Sequence, residues 1–310
     1  MDSIRNAPVR IALVCAALFF CCLPVSAAHA DASSTKPFLA FTPQTIEQGE
    51  PVLISVEGLP APAGQASLLS EVKSISFGGR KLPMFLFNGK PSAFGAISLR
   101  GNPGKVKVST LLSLPSGSAP VSALSATLVV TARPKIQAPL GIPDSLGGNT
   151  SSSQKKLVSS LASENKIIAS LKSPGKALWT KPFAFPVADP VVTDPYGYLR
   201  QTGGYVISHL GTDFRAPPGT PVLAMNDGVV LLARQYRAYG NIIVIGHGAG
   251  VMTIYVHLSS IGVKEGQAVS LGEQIGLSGM TGYAEGPHLH LSVHVLGTSV
   301  DPMKFMQLMQ

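Results

Sequence analysis

The chain has 310 residues, 45% hydrophobic and only 13% charged, with 32 glycines and 25 prolines. That length suggests about two domains, and that composition suits a folded chain of short strands and turns with ample core, not one of long helices. The formal net charge is +8. A basic surface attracts nucleic acid, anionic membrane or anionic wall polymer. No nucleic-acid motif and no interleaved basic and aromatic run is present, which leaves an envelope surface as the better reading.

The N-terminus reads as a signal peptide over residues 1–30. Arg5 and Arg10 form a positive region, Ile11 to Val25 is an apolar run short for a bilayer, and Ala28-His29-Ala30 supplies small residues for cleavage after Ala30. All three cysteines (Cys15, Cys21, Cys22) lie in this segment, so a processed chain has neither disulfides nor thiol chemistry. Their preceding neighbours, Val14, Phe20 and Cys21, do not fit a lipoprotein signal. The expected location is the periplasm, cell envelope or exterior. An uncleaved N-terminal anchor is the rival, and no later stretch is apolar for long enough to cross a membrane.

After a flexible start, residues 38–132 alternate in short runs. Val52 to Val56, Ser74 to Phe77, Lys81 to Phe87, Lys105 to Thr110 and Ala126 to Ala132 are predicted strands, with a hairpin at Gly78-Gly79. Together they predict a small immunoglobulin-like β-sandwich, a spacer or binding module without catalytic residue types. Residues 133–180 are a predicted linker. Its first part is rich in proline, glycine and serine, a composition that disfavours a shared core and predicts two separately folded halves. The linker carries one helix, 154–172, with Leu157, Leu161, Ile168 and Leu171 on one face. Trp179, the only tryptophan, precedes Pro182-Phe-Ala-Phe-Pro186 and a second strand-and-turn domain, 183–305.

Six of the seven histidines fall between His209 and His294. On a strand, residues two apart share a face, so His288, His290, Ser292 and His294 point one way and Leu289, Leu291, Val293 and Val295 the other. His288 and His290 thus reach one point. Gly211 and Pro217-Pro218 argue against a helix at His209-Leu-Gly-Thr-Asp213, but a strand end can also gather two ligands. Histidine and aspartate are good zinc ligands, and His209, Asp213 and His290 make a three-ligand set with a fourth position open for water. His257, in Tyr255-Val-His257-Leu, adds a further imidazole. His247, between two glycines, reads as a turn residue, with lining the groove as the alternative, and His294 lies outside the ligand set. Tyr205 and Tyr255 are candidate oxyanion donors or packing residues, and Asn241 is a further candidate substrate contact.

With these motifs in order, residues 183–305 resemble the lysostaphin-type (LytM) zinc endopeptidases. The resemblance is carried by His209-Leu-Gly-Thr-Asp213-Phe, Ala224-Met-Asn-Asp-Gly228, Tyr239-Gly-Asn-Ile-Ile-Val-Ile-Gly-His247, Tyr255-Val-His257-Leu, Val263-Lys-Glu-Gly-Gln267 and Gly286-Pro-His288-Leu-His290. It implies an antiparallel β-sheet groove of duplicated-hybrid-motif type, one Zn2+ per chain on His209, Asp213 and His290, and catalytic roles for His257 and His288. It also implies peptidoglycan peptide as substrate. Gln48-Gly49 and Phe77-Gly-Gly-Arg80 resemble the sandwich that precedes such domains in some secreted members. In the family a Gly-x-Arg segment stands just before the first ligand, whereas here Gly197-Tyr-Leu-Arg200 sets the arginine one place later. The expectation is an all-β, exported, monomeric zinc endopeptidase cutting peptidoglycan stems or cross-links. The alternatives are a non-catalytic regulator of wall hydrolases binding through the same groove, and a peptidase acting on protein.

Overall fold

The structure is a computed structural model that describes residues 36–59, 65–113 and 122–309; the signal segment lies outside them. The alternating runs of the first third form two sheets. One holds four strands in the order Phe38–Thr42, Pro51–Glu57, Lys90–Ala96, Phe85–Phe87. The other holds five, in the order Thr45–Glu47, Ser122–Thr131, Gly104–Leu112, Val72–Phe77, Arg80–Leu82. Period-two alternation gives each sheet an apolar face, and Ile54, Val56, Ile75, Val108 and Leu128 from the two sheets share one core. Phe77 pairs with Arg80 across Gly78-Gly79, at φ 56° and 84°, as the hairpin signal predicts.

The last third is built on an eight-stranded sheet, with strand order Val192–Asp194, Thr212–Phe214, Leu289–Val295, Val251–Leu258, Gly240–Gly248, Gly228–Tyr236, Ala268–Val269, and Thr298–Val300 against Leu289–Val295. Register decides which side chains share a face: Val256 stands opposite His290, Ile254 opposite Ser292 and Met252 opposite His294. One face is mostly apolar, with Tyr255, Leu289, Leu291, Val293 and Val295 buried in the main core. The other carries Asp213 and His290 at one end. Farther along it, Ile242, Val244, Met252, Ile254 and Val256 are covered by Ile168.

Ile168 belongs to the helix Ser151–Ser170, which starts three residues earlier than expected because the Thr150 side chain caps it by accepting from the Ser153 N–H at 3.2 Å. The segment before the helix is docked too. Gln137–Pro139 adds in parallel to Leu199–Thr202, which pairs with Tyr205–Ser208.

The expectation of two halves without a shared core is corrected. Leu53, Phe85 and Phe94 of the first third lie in the same core as Trp179, Phe183 and Phe305. Phe94 stacks at 6.4 Å from Trp179 and 5.6 Å from Phe305, and Phe85 meets Trp179 edge-on at 5.3 Å. Arg133 ties the same junction. It donates to the Gln48 carbonyl at 2.9 Å and to Asp301 Oδ2 at 3.1 Å, and lies 5.2 Å from the Tyr196 ring centroid. Five aromatic rings bury more apolar area than a proline-rich linker can keep apart.

Candidate metal centre

Antiparallel pairing of Thr212–Phe214 with Leu289–Val295 sets Asp213 directly opposite His290. His209 precedes this strand and is held by its backbone, donating to Tyr198 O at 2.7 Å and accepting from Gly197 N at 2.9 Å. Gly211 between the two ligands has a steric reason. A Cβ there would stand 2.3 Å from His290 Nε2 and 2.5 Å from the Leu291 carbonyl, so no larger residue lets the rings converge.

The three side chains present donor atoms within 4.8 Å of one another. Asp213 Oδ1 lies 3.0 Å from His209 Nε2 and 2.7 Å from His290 Nδ1, and the two nitrogens are 3.0 Å apart. His209 Nδ1 donates to the Pro195 carbonyl at 2.9 Å, so Nε2 is the nitrogen that offers a lone pair toward the other two side chains in the neutral tautomer. His290 Nε2 sits 3.0 Å from the Ser292 hydroxyl, and with that oxygen accepting, its Nδ1 lone pair faces inward too. Lone pairs of two nitrogens and one carboxylate oxygen therefore converge with no N–H between them, an arrangement that fits a cation. Two imidazoles and a carboxylate are a donor set suited to zinc.

Electrostatics agree. Burial raises the Asp213 carboxyl, and protons on His290 and His209 beside it would outweigh that and hold it well below the usual carboxylate range; with both rings turned as ligands, a bound cation takes the place of those protons. Burial pushes His290 down to about 4 against the pull of Asp213, which keeps its ring neutral and able to ligate. The outer carboxylate oxygen, Oδ2, accepts from Arg200 Nη2 at 2.8 Å, and Arg200 also bonds Asp194. Arg200 is the residue of the displaced Gly-x-Arg pattern. No spacing rule in the sequence announces its contact with Asp213.

Two further imidazoles border this point. His288 Nε2 is 3.8 Å from Asp213 Oδ1. The His257 ring centroid lies 5.0 Å from that of His288 and 6.1 Å from that of His290. His257 Nδ1 donates to the Thr281 carbonyl at 2.8 Å and His288 Nδ1 to the Gly286 carbonyl at 2.8 Å, so both rings keep Nε2 free as an acceptor. Burial, then the neighbouring His288 and His290, push His257 down to about 3. The His257 backbone is left-handed, at φ 62°, an uncommon conformation for a side chain of its size.

Tyr255 takes the packing role that its sequence left open, and the turn reading of His247 is corrected. Tyr255 is fully buried on the apolar face, and its hydroxyl accepts from Met225 N at 3.1 Å, so it cannot reach a substrate. Asn241 is half-buried and donates its amide to the Leu258 and Ser259 carbonyls, at 3.0 and 3.2 Å. His247 is no turn residue. It lies within the strand Gly240–Gly248, fully buried, bonded to the Asp227 carbonyl at 2.8 Å and to Thr253 Oγ1 at 2.7 Å. Tyr205 remains accessible, 36% exposed on the strand Tyr205–Ser208 that leads to His209. His294 shares the ligand face at a half-buried position, and its buried Nδ1 has no hydrogen-bond partner among the described residues.

Comparison with known proteins matches residues 207–302 to Peptidase family M23. The peptidoglycan DD-endopeptidase ShyA of Vibrio cholerae is 54% identical over 99 residues, 32% of this chain and 23% of that protein. The DD-carboxypeptidase/endopeptidase Mpg of Neisseria meningitidis is 41% identical over 113 residues, 36% of this chain and 26% of its own length. The chain thus spans about a quarter of the curated relatives that it matches. A putative peptidase M23 from Pseudomonas aeruginosa superposes with a TM-score of 0.58 at 25% identity, covering 84% of this chain and 94% of that structure. All five imidazole and carboxylate groups of the centre fall inside residues 207–302, the stretch that matches peptidase family M23.

Proposed function

We propose that this protein is an exported zinc metalloendopeptidase that hydrolyses peptide bonds in peptidoglycan stems or cross-links. The observation that carries the reading is the inward convergence of the His209, Asp213 and His290 lone pairs beside two imidazoles with free Nε2 atoms. The relatives named for peptidoglycan endopeptidase activity support the substrate class. Among the described residues no helix is long and apolar enough to cross a membrane, which is compatible with release after export.

His209, Asp213 and His290 would hold the ion. When bound, zinc supplies Lewis acidity, polarising a carbonyl and lowering the pKa of a coordinated water to about 7. The chain's own groups handle the proton. The Thr281 and Gly286 carbonyls hold the Nδ1 atoms of His257 and His288, so on either ring Nε2 is the nitrogen that can take a proton and return it to the leaving amine. Arg200 holds the outer oxygen of Asp213 and leaves the inner one for the ion.

Zinc content measured beside hydrolysis of purified peptidoglycan tests the roles. His290→Ala loses metal and activity together. His257→Ala keeps about one zinc per chain while turnover falls on the order of 10²–10⁴-fold, the usual worth of a positioned acid–base group. If His257→Ala loses its zinc and His290→Ala keeps it, the roles are assigned wrongly. If the wild-type chain binds peptidoglycan without cutting it, the alternative of a non-catalytic regulator stands.

A further inference from the structure

We propose that Glu164, on the helix Ser151–Ser170 and outside the residues that match the family, is a positioning residue for His257. The inference rests on the proposed function only for what His257 does once positioned. Glu164 is 5% exposed, and its carboxylate is spent on backbone. Oε1 accepts from Ala238 N at 2.9 Å, and Oε2 accepts from Ala238 N at 3.2 Å and from Tyr239 N at 3.0 Å. The next residue repeats the grip, with Asn165 Oδ1 accepting from the Tyr239 hydroxyl at 2.7 Å.

What this grip holds leads to His257 by two routes. The Tyr239 carbonyl accepts the His257 N–H at 3.0 Å, which fixes the backbone of the left-handed residue. The Ala238 carbonyl accepts from Tyr283 N at 2.9 Å, and Thr281 Oγ1 accepts from Asn241 N at 2.9 Å, so residues 238–241 and 281–283 are laced together. Thr281 in turn accepts His257 Nδ1 and sets the ring tautomer. There is no slack between the two loops. A Cβ on Gly240 would stand 2.4 Å from the Thr281 backbone, and one on Gly282 would stand 2.4 Å from the Ala238 carbonyl. A shift of residues 238–239 therefore moves both the backbone and the ring of His257. A left-handed histidine keeps its conformation only while its surroundings over-determine it, and Glu164 anchors those surroundings from a separate element.

The test uses the full zinc-loaded chain with three readouts: turnover of a peptidoglycan-derived peptide, zinc content and the His257 imidazole NMR signals. His294 serves as an internal control. In Glu164→Ala, kcat falls roughly 10- to 100-fold, as expected for a displacement of about 1 Å. KM and zinc content hold, and the His257 signals shift while those of His294 do not. Glu164→Gln, which keeps an oxygen for both N–H groups, restores kcat to near the wild-type value. Should the alanine variant not fold, Glu164→Asp, one methylene shorter, carries the same comparison and gives a kcat below that of Glu164→Gln. Wild-type kcat with unmoved His257 signals in Glu164→Ala overturns the proposal, as does equal impairment of the Gln and Ala (or Asp) variants or loss of zinc in Glu164→Ala. A wild-type chain inert towards every peptidoglycan peptide counts against the proposed function, and the His257 signals then decide this inference alone.

Discussion

Phe94→Ala tests whether the first third and the eight-stranded sheet share one core. Phe94 is 1% exposed and packs on Phe85 at 4.9 Å, Phe305 at 5.6 Å and Trp179 at 6.4 Å. Removing a buried phenylalanine ring costs about 3–5 kcal/mol. The upper part of that range applies here, because rigid rings on three sides cannot collapse into the space. With a urea slope of about 3 kcal/mol per molar for a chain of this size, the midpoint falls by roughly 1.5 M. Trp179 is the only tryptophan and sits inside the cluster, so its emission reports the junction directly. In the wild-type chain its transition and the loss of far-UV circular dichroism coincide, as one cooperative unit requires. Separate wild-type transitions, or a midpoint shift below about 0.3 M in the variant (roughly 1 kcal/mol), would refute the shared core.

Acid sensitivity is expected from His247. Burial, only partly offset by its bond to the Asp227 carbonyl, pushes it down to about 4 from an ordinary 6.5. The unfolded chain thus binds the proton more tightly, and the stability conferred by the neutral ring is present above pH 6.5 and lost as pH falls to about 4. The loss is on the order of 3 kcal/mol. Chemical denaturation across that window should show His247→Gln with the shallower dependence, and an unchanged slope would show that His247 is not the group responsible. Arg200→Ala strips the cation from the outer oxygen of Asp213 while leaving all three donors in place, and chelator competition should show metal affinity falling roughly 10- to 100-fold. Unchanged affinity would mean that Asp213 is oriented by its strand alone.

The parts of the centre that sequence reveals are those set by local periodicity. His290 and Asp213 are legible because strand alternation and residue type fix both direction and chemistry. Tyr255 misleads for a backbone reason. Period two puts it on the face of His257, but the left-handed turn at His257 breaks the alternation and frees that ring to face His288. Arg200 and Glu164 escape notice because their partners are an outer carboxylate oxygen and two backbone N–H groups, which no spacing encodes. The acceptors that choose the histidine tautomers, at Pro195, Thr281 and Gly286, are carbonyls and carry no residue signature. The joint core was hidden for a related reason: Phe85 and Phe94 are separated by most of the chain from Phe305, and the proline-rich composition between them describes a docked strap as well as a free tether.

The strand Gln137–Pro139 bears on where the protein could be cut. A fragment begun at residue 207 retains every metal donor and every imidazole of the centre. It loses Pro195, whose carbonyl turns the His209 ring, and Arg200, which holds Asp213. It also loses Leu199–Thr202, and with it the pairing that shields Tyr205–Ser208 from becoming a bare sheet edge open to other chains. A truncated chain that keeps these groups therefore has to begin before Pro195, and one that also keeps the strand cover on Leu199–Thr202 has to begin before Gln137, some seventy residues ahead of the stretch that matches the family.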